Sequence, residues 1–315
     1  MSQLIQASVW DRAGELQRRF ADAQPFRHIV IDNFLDEALC GELMAQFPTF
    51  DAAHALNERG EAGRKSVIPE LASLGSAFER FDRMIRGRDF LDWMGRVTNI
   101  PGLLYDDEYV GGGTHENLEG QELDSHVDFN YHPRRGWHRR LNLILFLNPE
   151  WREDWGGCLE LLRDPWTADG AHPSEVVVPI ANRAVVFETN ERSWHGFRRI
   201  QLPAGKQGLS RRSIAVYFYT EERAQDEIAA SHGTFYVPRP LSPHIRPGYT
   251  LRDEDVEEIR NLLKRRDTQV KFLYERELKF SKLLTGITKS PSFRLGHMLT
   301  WPARTVRRLW AKPAR

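Results

Sequence analysis

Cysteine is scarce in this chain of 315 residues, which contains only Cys40 and Cys158. Two cysteines so far apart do not indicate a disulfide framework, a cysteine-rich zinc site or a redox pair, and they favour a reducing compartment. Net charge is missing as well, since 44 acidic side chains balance 44 lysines and arginines. This balance removes any overall electrostatic reason to expect nucleic-acid binding.

Long apolar runs are also absent from the sequence. It contains no stretch of about 18 apolar residues, and its first 20 residues carry charges where a signal peptide needs an apolar run. We therefore predict a soluble, cytoplasmic protein. Because 315 residues exceed the usual ~100 to 200 of one domain, we expect a main domain with flanking additions.

The most informative residues that are present are His126 and Asp128, in the stretch GQELDSHVDFNYHP. Strand residues two apart point to the same side, so this pair could chelate one metal ion. His195 follows a distant strand-like run, RAVVFET, and completes a set of two imidazoles and one carboxylate. Such a set leaves open positions on Fe(II), as an oxygenase requires. Taken alone, the pair would be read as a surface histidine beside a solvated aspartate.

Several short runs rich in β-branched and aromatic residues follow the pair, each bounded by Gly, Pro, Asn or Asp: RRLNLILFLNPEW, GGCLELL, EVVVPI, RAVVFET and RRSIAVYFYT. Such runs predict a series of antiparallel strands, and a jelly-roll barrel is the natural architecture. In the last run Arg211 lies on the face opposite Ile214, Val216 and Phe218, which would pack outward. An inward guanidinium requires an anion, either a dicarboxylate cosubstrate or an internal Asp or Glu.

The region from about Asp107 to Thr220 resembles the iron(II)- and 2-oxoglutarate-dependent dioxygenases, specifically the prolyl-4-hydroxylase-like branch. The matching motifs, in the family's order, are HVD, then LNxxWxxxxGGxL beginning at Leu147, then His195, then Arg211 and Ser213 in RxS. The resemblance implies a double-stranded β-helix that binds Fe(II) through His126, Asp128 and His195. It also implies that Arg211, assisted by Ser213, binds the far carboxylate of 2-oxoglutarate.

The same resemblance implies a hydroxylase that releases succinate and carbon dioxide, with ascorbate as an added reductant. Asp128 favours hydroxylation, because related halogenating enzymes have a small residue at that position. One departure is Phe146, which stands where many prolyl hydroxylases have a tyrosine that helps to bind the far carboxylate. Asn142, on the same strand face, could take over that role or be satisfied by the backbone. His115, in a glycine-rich stretch, could line the substrate mouth or be exposed.

Three segments are expected along the chain. Residues 1–100 form an N-terminal strand and supporting helices, 101–222 the double-stranded β-helix core, and 223–315 a Pro-rich linker, a long helix and a basic tail. The predicted fold is thus a mainly β core with flanking helices and a C-terminal helical extension. Asp36 is the predicted N-cap of a helix that ends before Pro48.

The C-terminal segment raises two alternatives for partners. The helix predicted over 251–284 has a heptad pattern interrupted by Arg266 and Glu277, which fits a homodimer contact or a helix resting on the core. The tail from Gly286 has seven basic and no acidic residues, which fits peripheral membrane binding, docking on the protein or disorder. We also read the stretch NYHPRRGWHRR as a basic loop, either solvated or recognising substrate.

Two other functional classes compete with the hydroxylase. A cupin-like β-barrel could bind a metal or a sugar without turning over oxygen, but it would not need an inward Arg211. A scaffold working through its C-terminal helix would not need an intact ligand set. For the hydroxylase, the substrate could be a peptidyl residue such as proline, a free amino acid or other small molecule, or a glycan-pathway intermediate.

Overall fold

The computed structural model describes residues 4–55, 65–167, 172–242 and 244–301. The chain divides into two compact units, Met1–Arg239 and Pro240–Arg315. The strands described in the first unit are β1 His28–Ile31, β2 Lys65–Ile68, β3 Leu104–Tyr105, β4 Gly113–Asn117, β5 Leu123–Val127, β6 His138–Phe146, β7 Leu159–Leu162, β8 Pro173–Val177, β9 Arg183–Glu188, β10 Trp194–Phe197, β11 Arg211–Thr220 and β12 Phe235–Val237. Its helices are α1 Ala7–Trp10, α2 Ala13–Asp22, α3 Glu37–Ala45, α4 Ser76–Ile85 and α5 Arg88–Thr98.

The strands form two antiparallel sheets. The larger sheet has the order β1-β9-β6-β11-β4-β2, with β3 also pairing with β11, and the smaller has the order β12-β5-β10-β7-β8. The predicted β core with flanking helices is confirmed. A closed barrel is not found, because within the described ranges no strand of one sheet pairs with a strand of the other. The smaller sheet also gains β12, which lies beyond the expected end of the core at residue 222.

The larger sheet packs one face against the helices. Ile214, Val216 and Phe218 of β11 are buried in the main apolar core, which also contains side chains of α2 and α5. Phe218 contacts Phe90 of α5, with ring centroids 6.0 Å apart. Each such side chain contributes roughly 1.5 to 3 kcal/mol of burial free energy. The predicted alternation along β11 is therefore confirmed for this face, and Arg211 lies on the opposite one.

The helices before the core follow local sequence signals. Asp36 caps α3, accepting a 3.0 Å hydrogen bond from the amide of Ala38, as predicted. The stretch FERFDRMIRGRDFLDWMGRVTN forms two helices, α4 and α5, instead of one. The helical conformation ends at Arg86, and Gly87, with φ −67° and ψ 141°, opens α5 in an extended conformation.

The second unit consists mainly of α6 Asp253–Lys289 and α7 Pro291–Leu299. Helix α6 runs past the predicted end at residue 284, because Ser290 and Pro291 provide the first stop signal: the Ser290 hydroxyl accepts a hydrogen bond from the amide of Phe293, and Pro291 opens α7. The basic tail beyond residue 301 lies outside the described residues. Among the helices that the structure describes, none combines the length and apolar character needed to cross a bilayer.

The turn at Gly156 gives a test of the fold. Gly156 has φ +67° and ψ −163°, and a Cβ there would collide with the carbonyl oxygen of Arg199. We expect Gly156→Ala to lower the free energy of unfolding by at least about 3 kcal/mol, because backbone strain and the collision add. The measurement is denaturant unfolding followed by circular dichroism.

The matched control is Gly205→Ala. Gly205 also has a positive φ, +84°, but nothing lies within 4 Å of the added methyl group. We expect a loss of only about 1 kcal/mol. Equal losses for the two variants would contradict the importance of the close approach at Gly156.

Candidate active site

His126 and His195 are direct cross-strand partners. The register of β5 against β10 pairs their Cα atoms, and the two imidazole centroids are 4.2 Å apart. Directly opposite residues of an antiparallel pair point to the same face, so both rings project from the smaller sheet to one side. Asp128 follows immediately after β5 ends at Val127 and lies on the same side as His126.

These three side chains converge on one point. His126 Nε2 is 3.9 Å from Asp128 Oδ1, and His195 Nε2 is 3.6 Å from Asp128 Oδ2. All the ligand atoms lie within 4.8 Å of one another, and the residues are buried or half-buried. Nitrogen and oxygen ligands about 2 Å from a shared ion lie at most about 4 Å apart, and the distances from Asp128 to both imidazoles meet that limit. The donor set therefore fits a divalent transition metal bound by two imidazoles and one carboxylate, with other positions open.

Backbone carbonyls orient both imidazoles. Nδ1 of His126 donates to the carbonyl oxygen of Asp124 at 2.9 Å, and Nδ1 of His195 donates to that of Ser193 at 2.9 Å. A carbonyl only accepts, so Nδ1 carries the proton in both rings and Nε2 keeps its lone pair. Each Nε2 is thus prepared to bind a metal, as in many metal centres with a hydrogen-bonded outer shell.

Asp128 is oriented by side chains instead. Its Oδ2 accepts a 2.8 Å hydrogen bond from the amide of Asn142 and lies 3.1 Å from the guanidinium of Arg139. Arg139 also donates to Asn142 Oδ1 at 2.8 Å and is only 1% exposed. Its guanidinium carbon lies 3.5 Å from the ring centroid of Tyr217, a cation–π contact.

Arg139 corrects the interpretation of NYHPRRGWHRR as one basic loop. Strand β6 begins at His138, so Arg139 and Arg140 are strand residues, and both are buried. Arg140 pairs with Glu227, while Arg139 contacts the carboxylate of the metal site. The sequence carried one usable signal, since the predicted strand RRLNLILF already contained both arginines.

Burial and neighbouring charges set the protonation of the ligands. Burial and the proximity of His195 lower the pKa of His126 to about 3, and burial also lowers the pKa of His195. For Asp128, burial alone would raise the pKa, but Arg139, the two imidazoles and the Asn142 amide hold it well below its usual range. The site therefore presents neutral imidazoles and an ionised carboxylate at neutral pH.

Arg211 is a buried cation on the inward face of β11. It is 4% exposed, its Nε donates to the carbonyl oxygen of Gly157 at 2.6 Å, and its guanidinium lies 4.5 Å from the ring centroid of Phe197. Burial lowers the pKa of Arg211 to about 10. In the part of the chain that the structure describes, Arg211 makes no ion pair with an Asp or Glu. The alternative of an internal acidic partner is thus not supported there.

Residues of the LNxxWxxxxGG motif form the turn whose Gly157 carbonyl oxygen accepts the hydrogen bond from Arg211. Trp151 Nε1 donates to the carbonyl oxygen of Gly156 at 2.7 Å, and Asn148 accepts the amide hydrogen of Arg212 at 2.7 Å. A Cβ on Gly157 would lie 3.3 Å from Arg211 Cδ, tighter than usual contact. Glycine at position 157 therefore lets the arginine side chain approach the turn closely.

Strand register places further polar groups on the inward face of the larger sheet. Lys65 and Arg211 flank Asn117 in one cross-strand row, and His115 pairs with Ser213 in the next. Phe146 faces Ser213 from the other side, with its ring centroid 5.0 Å from the Arg211 guanidinium carbon. The predicted residues His115 and Ser213 therefore share the face of Arg211.

Lys65 was missed in the sequence, because a single lysine in a four-residue strand carries no pattern. Burial, with Arg211 nearby, lowers the pKa of Lys65 to about 8. His115 Nε2 lies 3.2 Å from the carbonyl oxygen of Gly111, and burial and the Lys65 charge lower the pKa of His115 well below its usual value. A backbone carbonyl only accepts, so Nε2 is the donor.

The fold and this centre define a class: a β-sheet protein with a site of two histidines and one carboxylate, the ligand set of non-haem Fe(II) oxygenases. Comparison of sequences agrees. Residues 113–219 match the family model described as the 2OG-Fe(II) oxygenase superfamily. The mouse prolyl 3-hydroxylase OGFOD1 is 25% identical over 246 residues, which cover 71% of this chain. The matched region is 37% of the mouse protein, so this chain spans about a third of that relative.

Solved structures with a similar arrangement include three from different organisms. A Trichoplax adhaerens prolyl hydroxylase in complex with a peptide fragment is 16% identical, covering 70% of this chain and 96% of that one, with a TM-score of 0.44. A Pseudomonas putida prolyl-4-hydroxylase is 19% identical, covering 65% and 98%, with a TM-score of 0.42. HygX from Streptomyces hygroscopicus, with nickel, 2-oxoglutarate and hygromycin B bound, is 15% identical, covering 69% and 95%, with a TM-score of 0.45.

The family-model match over residues 113–219 confirms the resemblance to the iron(II)- and 2-oxoglutarate-dependent dioxygenases that the motifs predicted. The match agrees with the predicted enzyme class, a 2-oxoglutarate-dependent dioxygenase, and with the predicted pair of Fe(II) and 2-oxoglutarate. The matched segment contains all three candidate iron ligands together with Arg211 and Ser213. Ascorbate as a reductant stays a prediction.

The lowered histidine pKa values predict how metal binding depends on pH. Burial lowers the pKa of both imidazoles and Asp128 is ionised, so the metal displaces fewer protons between pH 7.5 and 5.5 than it would from two ordinary histidines. We expect the Kd for Fe(II), measured anaerobically by titration calorimetry, to change less than about tenfold over this range. If both histidines had ordinary pKa values near 6.5, their protonation between pH 7.5 and 5.5 would raise the Kd for Fe(II) by roughly a hundredfold. A change of that size would contradict the buried, preformed site.

Proposed function

We propose that this protein is an Fe(II)- and 2-oxoglutarate-dependent hydroxylase that oxidises an unactivated C–H bond in a polypeptide, with a prolyl residue as the first candidate. When bound, iron and 2-oxoglutarate would supply the oxidising chemistry, in which dioxygen would provide one oxygen atom to succinate and one to the hydroxylated substrate, with carbon dioxide as the other product. His126, Asp128 and His195 would bind the iron.

The observation that carries this proposal is the buried guanidinium of Arg211 on the inward sheet face. A buried cation without an acidic partner is costly, and a bound carboxylate would relieve that cost. A planar guanidinium can bind a carboxylate through two parallel hydrogen bonds. The alternative of a non-catalytic, cupin-like metal- or sugar-binding barrel gives no reason for this group.

Neighbouring residues complete the proposed cosubstrate site. Ser213 is buried and lies two residues from Arg211 on the same strand face, where its hydroxyl can donate to the same carboxylate. Lys65 of β2 pairs with Asn117 of β4, which in turn pairs with Arg211, so Lys65 adds a second positive charge to the Arg211 end of the site. Phe146 cannot donate a hydrogen bond but contacts the Arg211 guanidinium, so it restricts where the arginine points.

In this proposal Asn142, which the sequence offered as a cosubstrate contact, acts on the iron ligand Asp128 instead. Its amide nitrogen donates to Asp128 Oδ2, and its oxygen accepts from Arg139, so both of its polar ends are engaged. With Oδ2 occupied by two donors, Oδ1 is the freer oxygen to bind iron. Arg139 and Asn142 are therefore positioning residues for the carboxylate ligand.

The finer architecture is part of the proposal. We propose that residues 101–222 form a double-stranded β-helix, followed by a C-terminal segment over 223–315. In support, successive strands from β4 to β7 alternate between the larger and the smaller sheet, as do β9, β10 and β11. This winding places β5 and β10, which carry the histidines, in one sheet and β11, which carries Arg211, in the other.

The polypeptide substrate is supported by sequence similarity to a prolyl 3-hydroxylase. His115 lies on the inward face beside Ser213, and we propose that it lines the substrate mouth. A free amino acid, another small molecule and a glycan-pathway intermediate are the other substrate classes, and they become outcomes of the test below. Cytoplasmic location and membrane contact by the basic tail stay predictions.

Cosubstrate binding can be tested without knowing the substrate. Anaerobic addition of Fe(II) and 2-oxoglutarate to the wild-type protein should give a weak visible absorption band, and Asp128→Ala should lose both the band and the iron. Arg211→Ala should retain iron but bind 2-oxoglutarate at least about thirtyfold more weakly, because a buried charge pair is lost. The readouts are iron content and the 2-oxoglutarate concentration at half-maximal absorbance.

Arg212→Ala is the matched control for that experiment. Arg212 is the adjacent residue on the opposite strand face, where it contacts Glu116 at 3.2 Å. It should leave 2-oxoglutarate binding nearly unchanged. No band in the wild-type protein, together with no succinate released in air, would rule out the enzyme.

The substrate class can be tested with peptide mixtures. Incubation of the iron-loaded protein with 2-oxoglutarate, dioxygen and proline-containing peptides should add one oxygen atom to a peptide, detected by mass spectrometry. Amino-acid analysis then separates 3- from 4-hydroxyproline, and Asp128→Ala is the inactive control. Succinate release that is stimulated by amino acids or glycans, but by no peptide, would contradict the polypeptide substrate while leaving the hydroxylase chemistry intact.

A further inference from the structure

Helix α6 exposes an apolar pattern with a period of seven residues, interrupted at two positions. We define the heptad seam as its a positions and d positions: Val256, Leu263, Val270, Glu277 and Leu284 at a, and Ile259, Arg266, Leu273, Phe280 and Ile287 at d. The sequence indicated this seam only as far as Leu273. In the structure the helix continues to Lys289, so the pattern extends over five heptads.

The seam is largely open to solvent. Leu263, Val270, Phe280, Leu284 and Ile287 are 55%, 64%, 56%, 63% and 55% exposed, respectively. An exposed apolar surface of this kind indicates a binding surface, because leaving several large side chains in water forgoes several kcal/mol of burial. Eight of the ten seam residues are apolar, and the two exceptions carry opposite charges.

We infer that the seam binds the same seam of a second copy of this chain in an antiparallel coiled coil. In that arrangement an a position of one helix faces a d position of the other. Placing Arg266 opposite the partner's Glu277 fixes the register. Every remaining seam residue then faces an apolar one, in the pairs Val256 with Ile287, Ile259 with Leu284, Leu263 with Phe280, and Val270 with Leu273.

A parallel dimer in register does not fit these residues. It would place Arg266 against the partner's Arg266 and Glu277 against the partner's Glu277 inside an apolar interface, where like charges are strongly unfavourable. The antiparallel pairing forms two opposite-charge contacts instead, one at each side of the two-fold axis. The two charged residues that interrupt the seam therefore specify direction and register.

A membrane surface is a weaker match for the same helix. Residues 253–289 contain nine basic and eight acidic side chains, so the helix as a whole has almost no attraction to anionic lipid. Acidic residues Asp253, Glu254 and Asp255 occupy its first turn. Amphipathic helices that bind anionic membranes are instead rich in lysine and arginine on their polar face.

Sedimentation equilibrium of the full chain tests the proposal. We expect a dimer at micromolar concentration. Glu277→Arg should raise the dimer Kd at least about tenfold, because it places arginine against arginine twice per dimer. The double variant Arg266→Glu with Glu277→Arg should restore dimerisation, since the pair is only exchanged. Glu275→Arg, the same charge reversal at a position outside the seam, is the control and should have little effect.

Cysteine cross-linking tests the direction of the helices. Ile259→Cys combined with Leu284→Cys should give a covalent dimer on oxidation, while Leu284→Cys alone should not. In the antiparallel register two Leu284 positions lie about 37 Å apart along the axis. The native Cys40 and Cys158 are buried and provide a cross-link-free background.

Several outcomes would overturn the proposal. The first is that the wild-type chain remains a monomer at roughly 50 to 100 μM. The others are that Glu277→Arg dimerises as strongly as the wild type, or that Leu284→Cys alone cross-links efficiently. A monomer that binds vesicles containing anionic phosphatidylserine would assign the seam to a lipid surface instead. Circular dichroism of each variant checks that α6 remains helical.

Discussion

The cross-strand pairing of His126 with His195 is the constraint on which the rest of the site depends. It brings together two residues that are distant in sequence and points both imidazoles to the same side of the smaller sheet. Side chains alternate along a strand, so a slip of one residue between β5 and β10 would turn one imidazole to the other face. Asp128 would then lack one of the two nitrogens that complete the ligand set.

The cationic side chains of the site are distributed in a way that suits an anionic ligand. Arg139 is paired with Asp128, whereas Arg211 and Lys65 contact no carboxylate within the described residues. The unpaired cations belong to the larger sheet and the histidine ligands to the smaller one. A molecule with a carboxylate at each end could therefore contact both sheets at once, with one end at the metal and the other at Arg211.

Much of this site could be predicted because its signals are local and repeated. The spacing of His126 and Asp128, the late His195 and the alternation around Arg211 depend only on strand geometry and on motif order. Arg139 could not be assigned to Asp128 in the same way, because its contact depends on the pairing of β6 with β11 and on the direction that the chain takes after β5. The position of Lys65 could not be predicted either, because it depends on the pairing of the edge strand β2 with β4.

The fold showed the same division. The N-cap at Asp36 and the outward face of β11 follow from short-range patterns, and both were predicted. Three other features depend on tertiary contacts: the break at Gly87, the addition of β12 to the smaller sheet and the lack of pairing between the two sheets among the strands that the structure describes. Tertiary contacts determine where a helix ends and which strand edges of a sheet stay unpaired, and no local sequence pattern encodes them.

The orienting contacts of the site have an uneven tolerance to mutation. His126, His195 and Arg211 each donate to a main-chain carbonyl oxygen, at Asp124, Ser193 and Gly157. A substitution at the accepting residue changes its side chain but leaves its main-chain carbonyl oxygen in place. These three hydrogen bonds can therefore persist when the residues around the site are substituted. Asp128 alone relies on side chains for its orientation. Evolution could therefore remodel the surroundings of this centre for new substrates while Asn142 and Arg139 remain the positions least free to vary.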